Sequence, residues 1–405
     1  MNYLKKFETH TDYETYINGS DKVLPNVSYC EGENEVHYSQ NTDPRLIIEF
    51  NINTTSSPTY IMDNEDYSID NNYFTQIEID GIVLPNVVDK YIFSTLGKHV
   101  VKYTLSNPLA IEYGAFKYCN NIEKVIIPKG VKTLGGEAFS YCKGLKSIGS
   151  IGSGASIEIP DTVTTLNDSL FDGCTNITDV ELPDSITTMD VGIFSGCTSL
   201  RTIKLSSSIT TIDSQVFYNC FSLVSINITK NITLVESGAF EGCKNIVEIT
   251  VDKSNQVYDS RNNCNAIIET GTNTLITGCK NTFIPYGVET IGEYAFSGCV
   301  GLSNIIIPNS VTSIENNAFY KCRGLLEVTI GNSVATIGED AFNNCSNLTT
   351  ITSLAASAPE IESNTMRNIH DNGTLIVPIN SNGYDAWMNA GDYYLGKYSW
   401  TKVEQ

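Results

Sequence analysis

The sequence is poor in basic residues. Its 405 residues hold 25 lysines and arginines against 46 aspartates and glutamates, which gives a formal net charge of −21. Nucleic acids and anionic membranes are bound by basic surfaces, so this balance argues against both as partners. The chain also lacks any run of 18 apolar residues, which argues against a membrane span.

Residues that catalysis or metal binding would need are scarce and scattered. The four histidines lie outside the repeated region described below: His10, His37, His99 and His370. No His-Glu-x-x-His motif or nucleophile elbow accompanies them. No Cys-x-x-Cys pair or cysteine–histidine cluster suggests zinc. The sequence therefore predicts no catalytic residue, no metal and no cofactor, and the protein is expected not to be an enzyme.

The first ten residues lack the apolar core of a secretory signal peptide. Two locations therefore stay open. If a leader has been removed, the protein is expected at the cell surface or outside the cell. Otherwise it is expected in the cytoplasm or as part of a particle.

One pattern is abundant: a phenylalanine followed three residues later by a cysteine. Successive pairs are separated by 23, 32, 23, 23, 23, 56, 23 and 23 residues. A fixed period of this length predicts a solenoid of stacked units, in which each coil buries its apolar face against its neighbours. The nine pairs are Phe116/Cys119, Phe139/Cys142, Phe171/Cys174, Phe194/Cys197, Phe217/Cys220, Phe240/Cys243, Phe296/Cys299, Phe319/Cys322 and Phe342/Cys345.

Each repeat contains the pattern of a short strand. Apolar residues alternate at Ile305 and Ile307, and Pro308 then ends the strand because it cannot donate to a ladder. The residues before each phenylalanine are rich in glycine, asparagine and acidic residues, which is typical of a tight or helical turn. We expect one strand per coil, stacked in parallel, with a second extended piece near Val311 to Ile314.

The repeat follows the pattern Ala-Phe-x-x-Cys-x-x-Leu-x-x-Ile-x-Ile-Pro, with mild departures such as Leu170 for alanine and Ser206 for proline. It resembles the BspA-like, Treponema pallidum-type leucine-rich repeats. The resemblance implies a mainly β solenoid with short helical turns and about nine coils over residues 106–352, interrupted near 149–157 and 252–284. The best-known members are surface proteins of host-associated anaerobic bacteria that bind host matrix proteins or other cells.

The flanking regions differ from the array. Residues 1–40 carry a capping box at Thr11–Glu14 that predicts a short helix. They resemble the openings of unrelated large proteins of gut Bacteroides and their phages, which implies an attachment segment. Residues 41–105 alternate as strands do, and predict a small β-rich module or N-terminal cap. Residues 353–405 are rich in tyrosine and tryptophan, and predict a C-terminal cap or, alternatively, a carbohydrate-stacking platform.

Nine of the twelve cysteines occupy the same place in successive coils. An odd-membered ladder cannot pair completely, so we expect buried and mostly reduced thiols. Cys264 and Cys279 flank a predicted hairpin, and whether they form a disulfide is left open. Cys30 stands alone.

In each coil, the residue between the two buried strand positions must point outwards. Read along a curved array, these residues would form a concave polar face. This face is either a recognition surface or an ordinary solvated sheet. Within the second insertion, Tyr258 and Arg261 predict either a protruding contact element or, if the insertion is a modified coil, structural residues. The candidate binding residues on the strand face are Glu181, Lys204, Asn227, Thr250 and Thr329, with Arg201 and Glu248 beside them.

These observations predict a non-enzymatic binding protein. By the resemblance, it would be a bacterial surface adhesin that recognises a host protein or glycan. The alternative is a structural or receptor-binding component of a phage or tail-like particle, docked through residues 1–40. The genes beside its own would separate the two, and the oligomeric state is left open.

Overall fold

A computed structural model describes residues 44–62, 73–149, 157–391 and 393–405, together with the backbone of two short strands, Val27–Tyr29 and Val36–Tyr38, that pair antiparallel. The predicted helix at residues 11–17 and the solitary Cys30 lie outside the described residues. Within the described ranges, no helix is long and apolar enough to cross a membrane.

The predicted strands before the proline position stack in parallel, with neighbouring residues offset by one repeat. We call this set ladder A. Its strands are Ile122–Ile126, Ser147–Ile148, Ile157–Glu158, Asp179–Glu181, Thr202–Lys204, Ser225–Ile228, Glu248–Val251, Asn304–Ile307, Glu327–Ile330, Thr350–Ser353, Thr374–Val377 and Thr401–Glu404.

The second extended piece predicted for each coil is a short strand, and these strands form another parallel stack, ladder B, where the sequence predicted one stacked strand per coil. Its inward residues, such as Ile212 and Ile314, are buried opposite those of ladder A. Its strands are Ala110–Ile111, Thr133–Leu134, Thr165–Leu166, Thr188–Met189, Thr211–Ile212, Leu234–Val235, Thr290–Ile291, Ser313–Ile314, Thr336–Ile337 and Glu360–Ile361.

A tight turn carrying the phenylalanine and cysteine closes each coil. It is tight because backbone positions such as Gly196 (φ 65°) and Asn219 (φ 57°) adopt the left-handed conformation, which glycine and asparagine tolerate best. The turns place the phenylalanine rings one above another: Phe194 and Phe217 are parallel to within 5°, with centroids 6.0 Å apart. In the described residues, helix is limited to Tyr384–Trp387 and the 3₁₀ turns Arg261–Asn263 and Leu395–Tyr398.

The fold is a β-solenoid of about 12 turns of ~23 residues, more than the nine Phe–Cys pairs suggest. The stack of coils continues past the last Phe–Cys pair, Phe342/Cys345, because other apolar residues take the places of phenylalanine and cysteine in the next coil. Met366 and Ile369 are buried at the positions that phenylalanine and cysteine occupy in earlier coils. The Phe342 amide donates to the Thr365 carbonyl at 3.0 Å, which joins this coil to the one before it. The 32-residue step adds a further strand, since Ile157 pairs with both Ile148 and Val180.

An antiparallel sheet covers the first coil. Strand Leu46–Ile52 pairs with Gly97–Leu105 on one side and with the first ladder A strand on the other. The rings of Phe74 and Tyr103 pack on Phe116, the first ring of the stack, at 5.6 and 5.2 Å. The remaining strands of this region are Thr59–Tyr60, Phe74–Ile79, Ile82–Val83 and Lys90–Tyr91.

The aromatic tail packs on the last coils. Trp387 and Trp400 are buried, and their indole N–H groups donate to the carbonyls of Pro359 and His370 at 3.0 and 2.7 Å. Tyr384 is buried as well, and its hydroxyl donates to the Ala355 carbonyl. The idea of a carbohydrate-stacking platform is wrong for these three rings, because a buried ring offers no face to a sugar.

Candidate binding surface

The parallel register of ladder A aligns the outward residues in rows. Glu181 lies beside Lys204, and Asn227 lies beside Thr250, each exactly one strand away in the ladder. All four side chains are exposed. The structure therefore places these candidate residues on one face, although their role in binding stays a prediction.

Outward side chains of neighbouring coils form hydrogen bonds with one another on this face. The Lys204 ammonium donates to the Glu181 carboxylate, and this hydrogen bond raises the pKa of Lys204. The Thr250 hydroxyl donates to Asn227 Oδ1 at 2.9 Å. The Glu181 and Lys204 side chains stay 54% and 74% exposed, and a pair this exposed adds little to stability. Its charged groups remain available at the surface.

The other candidate residues of the face are less uniform. Arg201 and Glu248 are exposed, the first just before a ladder A strand and the second at the start of one. Thr329 is half-buried and lies beside Ile306, beyond a break in ladder A. At this break, Glu248–Val251 ends a two-stranded sheet and Asn304–Ile307 begins a five-stranded one.

The second insertion lies at this break. Its strands Tyr258–Asp259, Ala266–Glu269 and Thr274–Gly278 form antiparallel pairs and join ladder B through Thr290–Ile291. Asn255 fixes the entry to the insertion. Its amide nitrogen donates to the carbonyls of Thr229 and Ile232, and its oxygen accepts from the amides of Val257 and Tyr258.

The prediction of Tyr258 as a contact residue is wrong. Its side chain is only 3% exposed, and its hydroxyl accepts a hydrogen bond from the Val235 amide at 2.9 Å. The phenol thus satisfies a ladder B donor that would otherwise be buried without a partner. Arg261 is half-buried, and its guanidinium is held by Asp259 and Asn273. The insertion is built as a modified coil around these contacts.

A family model described as a BspA-type leucine-rich repeat region matches residues 53–153, 149–267 and 275–388, in six copies. The chain belongs to this family. Proteins of the BspA type are typically non-enzymatic binding proteins found at the cell surface.

Solved structures of bacterial leucine-rich repeat proteins resemble this BspA-type chain. A leucine-rich cell surface protein from Faecalibacterium prausnitzii is 24% identical over 73% of this chain and 76% of its own, with a TM-score of 0.54. The pneumococcal vaccine antigen PcpA is 18% identical over 73% and 82%, with a TM-score of 0.48. A Treponema pallidum leucine-rich repeat protein is 21% identical over 56% and 83%, with a TM-score of 0.32. The first likeness supports the fold. No curated protein matches the chain.

The cysteines of the BspA-type repeats belong to the core. All eleven cysteines in the described residues are buried and none of them forms a disulfide, Cys264 and Cys279 included. Seven ladder thiols donate to the phenylalanine carbonyl of the preceding coil; the Cys197 thiol, for example, donates to the Phe171 carbonyl at 3.2 Å. Burial raises the pKa of Cys243 and of Cys299 to about 12. The predicted burial of the ladder is confirmed, and its mostly reduced state stays a prediction.

Sequence reasoning missed two exposed aromatic residues of this BspA-type array, Phe283 and Tyr286. Both lie in the coil that the second insertion interrupts, where the missing Phe–Cys pair hides the repeat. Aligning Phe283-Ile284-Pro285-Tyr286 with Ile306-Ile307-Pro308-Asn309 would have revealed them, because the proline fixes the register.

Proposed function

We propose that the chain is a non-enzymatic, adhesin-like binding protein that recognises a host protein or glycan through the outer face of ladder A. The observation that carries this proposal is the row of exposed polar side chains held in parallel register from coil to coil, such as Glu181, Lys204, Asn227 and Thr250. Because the backbone is fixed by the ladders, this face is ordered before a ligand arrives. Binding then costs little conformational entropy.

Family membership supports a surface role. BspA-type proteins are typically found at the cell surface, and the F. prausnitzii relative is described as a cell surface protein. The acidic chain, with its net charge of −21, favours partners that carry basic patches or neutral polar groups.

The test is a binding screen of the purified chain on arrays of host matrix proteins and glycans. Each hit is repeated with the double variant Glu181→Lys, Lys204→Glu, which keeps the net charge and the ion pair but reverses the order of charges on the face. We expect at least one saturable hit, weakened about tenfold or more in this variant because like charges would meet across the interface.

The matched control exchanges two exposed charges beside ladder B, Lys132→Glu with Glu289→Lys, which also keeps the net charge. We expect this variant to bind as the parent does. The same loss in both variants, or silence on both arrays, would contradict the proposal.

A further inference from the structure

Because the coils repeat, the residue at an exposed position in one coil can be compared with the residues at the same position in the other coils. In the turn that follows ladder A, one residue comes directly after the proline position. This residue is polar and exposed in eight described coils and aromatic in one, where Tyr286 is 81% exposed; in the last two coils of the stack that can be aligned it is the buried Ala355 and the exposed Ile379. The eight polar residues are Lys129, Asp161, Asp184, Ser207, Lys230, Lys253, Asn309 and Asn332.

A second departure occurs in the same coil at the place that corresponds to the outward position of ladder A, although this coil contributes no ladder A strand. Thr282 and Ile284 are buried on either side of Phe283, as Ile305 and Ile307 are on either side of Ile306. Phe283 is therefore the outward residue of its coil, and it is 48% exposed. In the next coil, Ile306 is 68% exposed.

These three side chains lie on adjacent coils in repeat register. The Gly287 amide donates to the Ser310 hydroxyl at 3.0 Å, and Thr290 pairs with Ser313; both contacts join residues 23 apart. Phe283 and Ile306 are also 23 apart, so they are neighbours along the stack, and Tyr286 follows Phe283 across the turn. The result is an apolar cluster on a face where the other exposed outward residues of ladder A are polar, while the outward Ile126 and Ile376 are half-buried.

We propose that Phe283, Tyr286 and Ile306 anchor an extended segment of a partner protein that carries a large apolar side chain flanked by lysine or arginine. This inference rests on the proposed binding function and names the class of partner. Aromatic residues dominate the energy of protein interfaces when they are buried by the partner, and an exposed tyrosine beside two apolar side chains is suited to that role.

Charge favours the basic flanks. In the row of residues that runs beside the cluster, Glu248 lies exposed before the break in ladder A and Glu327 lies exposed after it, with the exposed Asn281 and Asn304 between them. A basic residue on each side of the apolar anchor would face one carboxylate. A protein segment also suits the cluster better than a sugar does, because Ile306 has no flat π face on which a sugar ring could stack.

The test selects a display library of random heptapeptides on the full-length chain. We expect enriched peptides to combine an aromatic or large aliphatic residue with lysine or arginine. The enriched peptides are then measured on the triple variant Phe283→Thr, Tyr286→Asn, Ile306→Thr, which installs the residues that other repeats carry at these exposed places. We expect a loss of affinity of about tenfold or more.

The control variant removes exposed aromatic surface elsewhere. Tyr118→Asn with Tyr141→Asn changes two exposed tyrosines at the Phe–Cys turns, where the backbone is left-handed and asparagine fits. It should bind the peptides as the parent does. Circular dichroism spectra of both variants are expected to match that of the parent.

Three outcomes would overturn the inference: no enrichment, enriched peptides that bind the triple variant unchanged, or enriched peptides without basic residues. Its failure is distinguishable from failure of the proposed function. If an array hit is lost in the Glu181/Lys204 variant but kept in the triple variant, the binding function stands and the anchor site does not. A glycan hit lost in the triple variant would reassign the cluster to carbohydrate.

Discussion

Replacing Phe217 with alanine is expected to lower the free energy of unfolding by about 3–5 kcal/mol. The ring is fully buried between Phe194 and Phe240, with centroid distances of 6.0 and 5.2 Å. Ladders A and B hold successive coils at about 4.8 Å, so the stack cannot close around the missing ring. The cost therefore includes both lost burial and a persistent cavity. Urea titration followed by circular dichroism measures it.

Phe221 provides the matched control four residues away. Its ring is half-buried and contacts the Lys244 ammonium at 4.0 Å from its centroid. Replacing Phe221 with alanine is expected to cost less than about 1 kcal/mol. Equal effects of the two substitutions would contradict the assignment of Phe217 to the stacked core.

Raising the pH from 8 to 10 is expected to destabilise the fold steeply. Burial raises the pKa of ladder thiols, to about 12 for Cys243 and Cys299 from an ordinary value of 9.0, so the folded state keeps protons that the unfolded state releases. Stability is fully present below pH 9 and is lost as the pH rises towards 12. Each such thiol contributes a slope that is about half of 1.4 kcal/mol per pH unit at pH 9 and approaches about 1.4 above pH 10.

The measurement is a series of urea titrations between pH 8 and pH 10, with Cys220→Ala as the comparison variant. Cys220 is fully buried, and its thiol donates to the Phe194 carbonyl at 3.1 Å. Removing it should reduce the loss of stability between pH 8 and pH 10 by about 1.4 kcal/mol in total. A parent protein whose stability is flat over this range would contradict the picture of buried, neutral thiols.

Much of the solenoid follows from local sequence. The 23-residue spacing predicts the coil, the alternation at Ile305 and Ile307 predicts ladder A, and the proline predicts where its strands end. These features are predictable because the same side chains meet in each coil. The sequence did not predict why cysteine occupies its place in each repeat. The thiol is a small buried hydrogen-bond donor to a phenylalanine carbonyl in the preceding coil, as the Cys142 thiol is to the Phe116 carbonyl.

The candidate site was predictable only in part. The outward row containing Glu181 and Lys204 follows from the period of a strand. Tyr258 was misassigned because the sequence does not show that the insertion leaves the Val235 amide of ladder B without a backbone acceptor. The Tyr258 hydroxyl accepts that hydrogen bond. Phe283 and Tyr286 were missed because the 56-residue step removes the Phe–Cys pair that marks a coil.

The most direct test of whether ladder A is the binding face is hydroxyl-radical footprinting. The chain is compared with and without a ligand found in the array screen. Exposed side chains on that face or in its following turn, such as Phe283, Tyr286 and Ile306, should lose reactivity when the ligand binds. Tyr118 and Tyr141, exposed at the Phe–Cys turns, should react as before. Protection of these two tyrosines, with ladder A unchanged, would contradict the account.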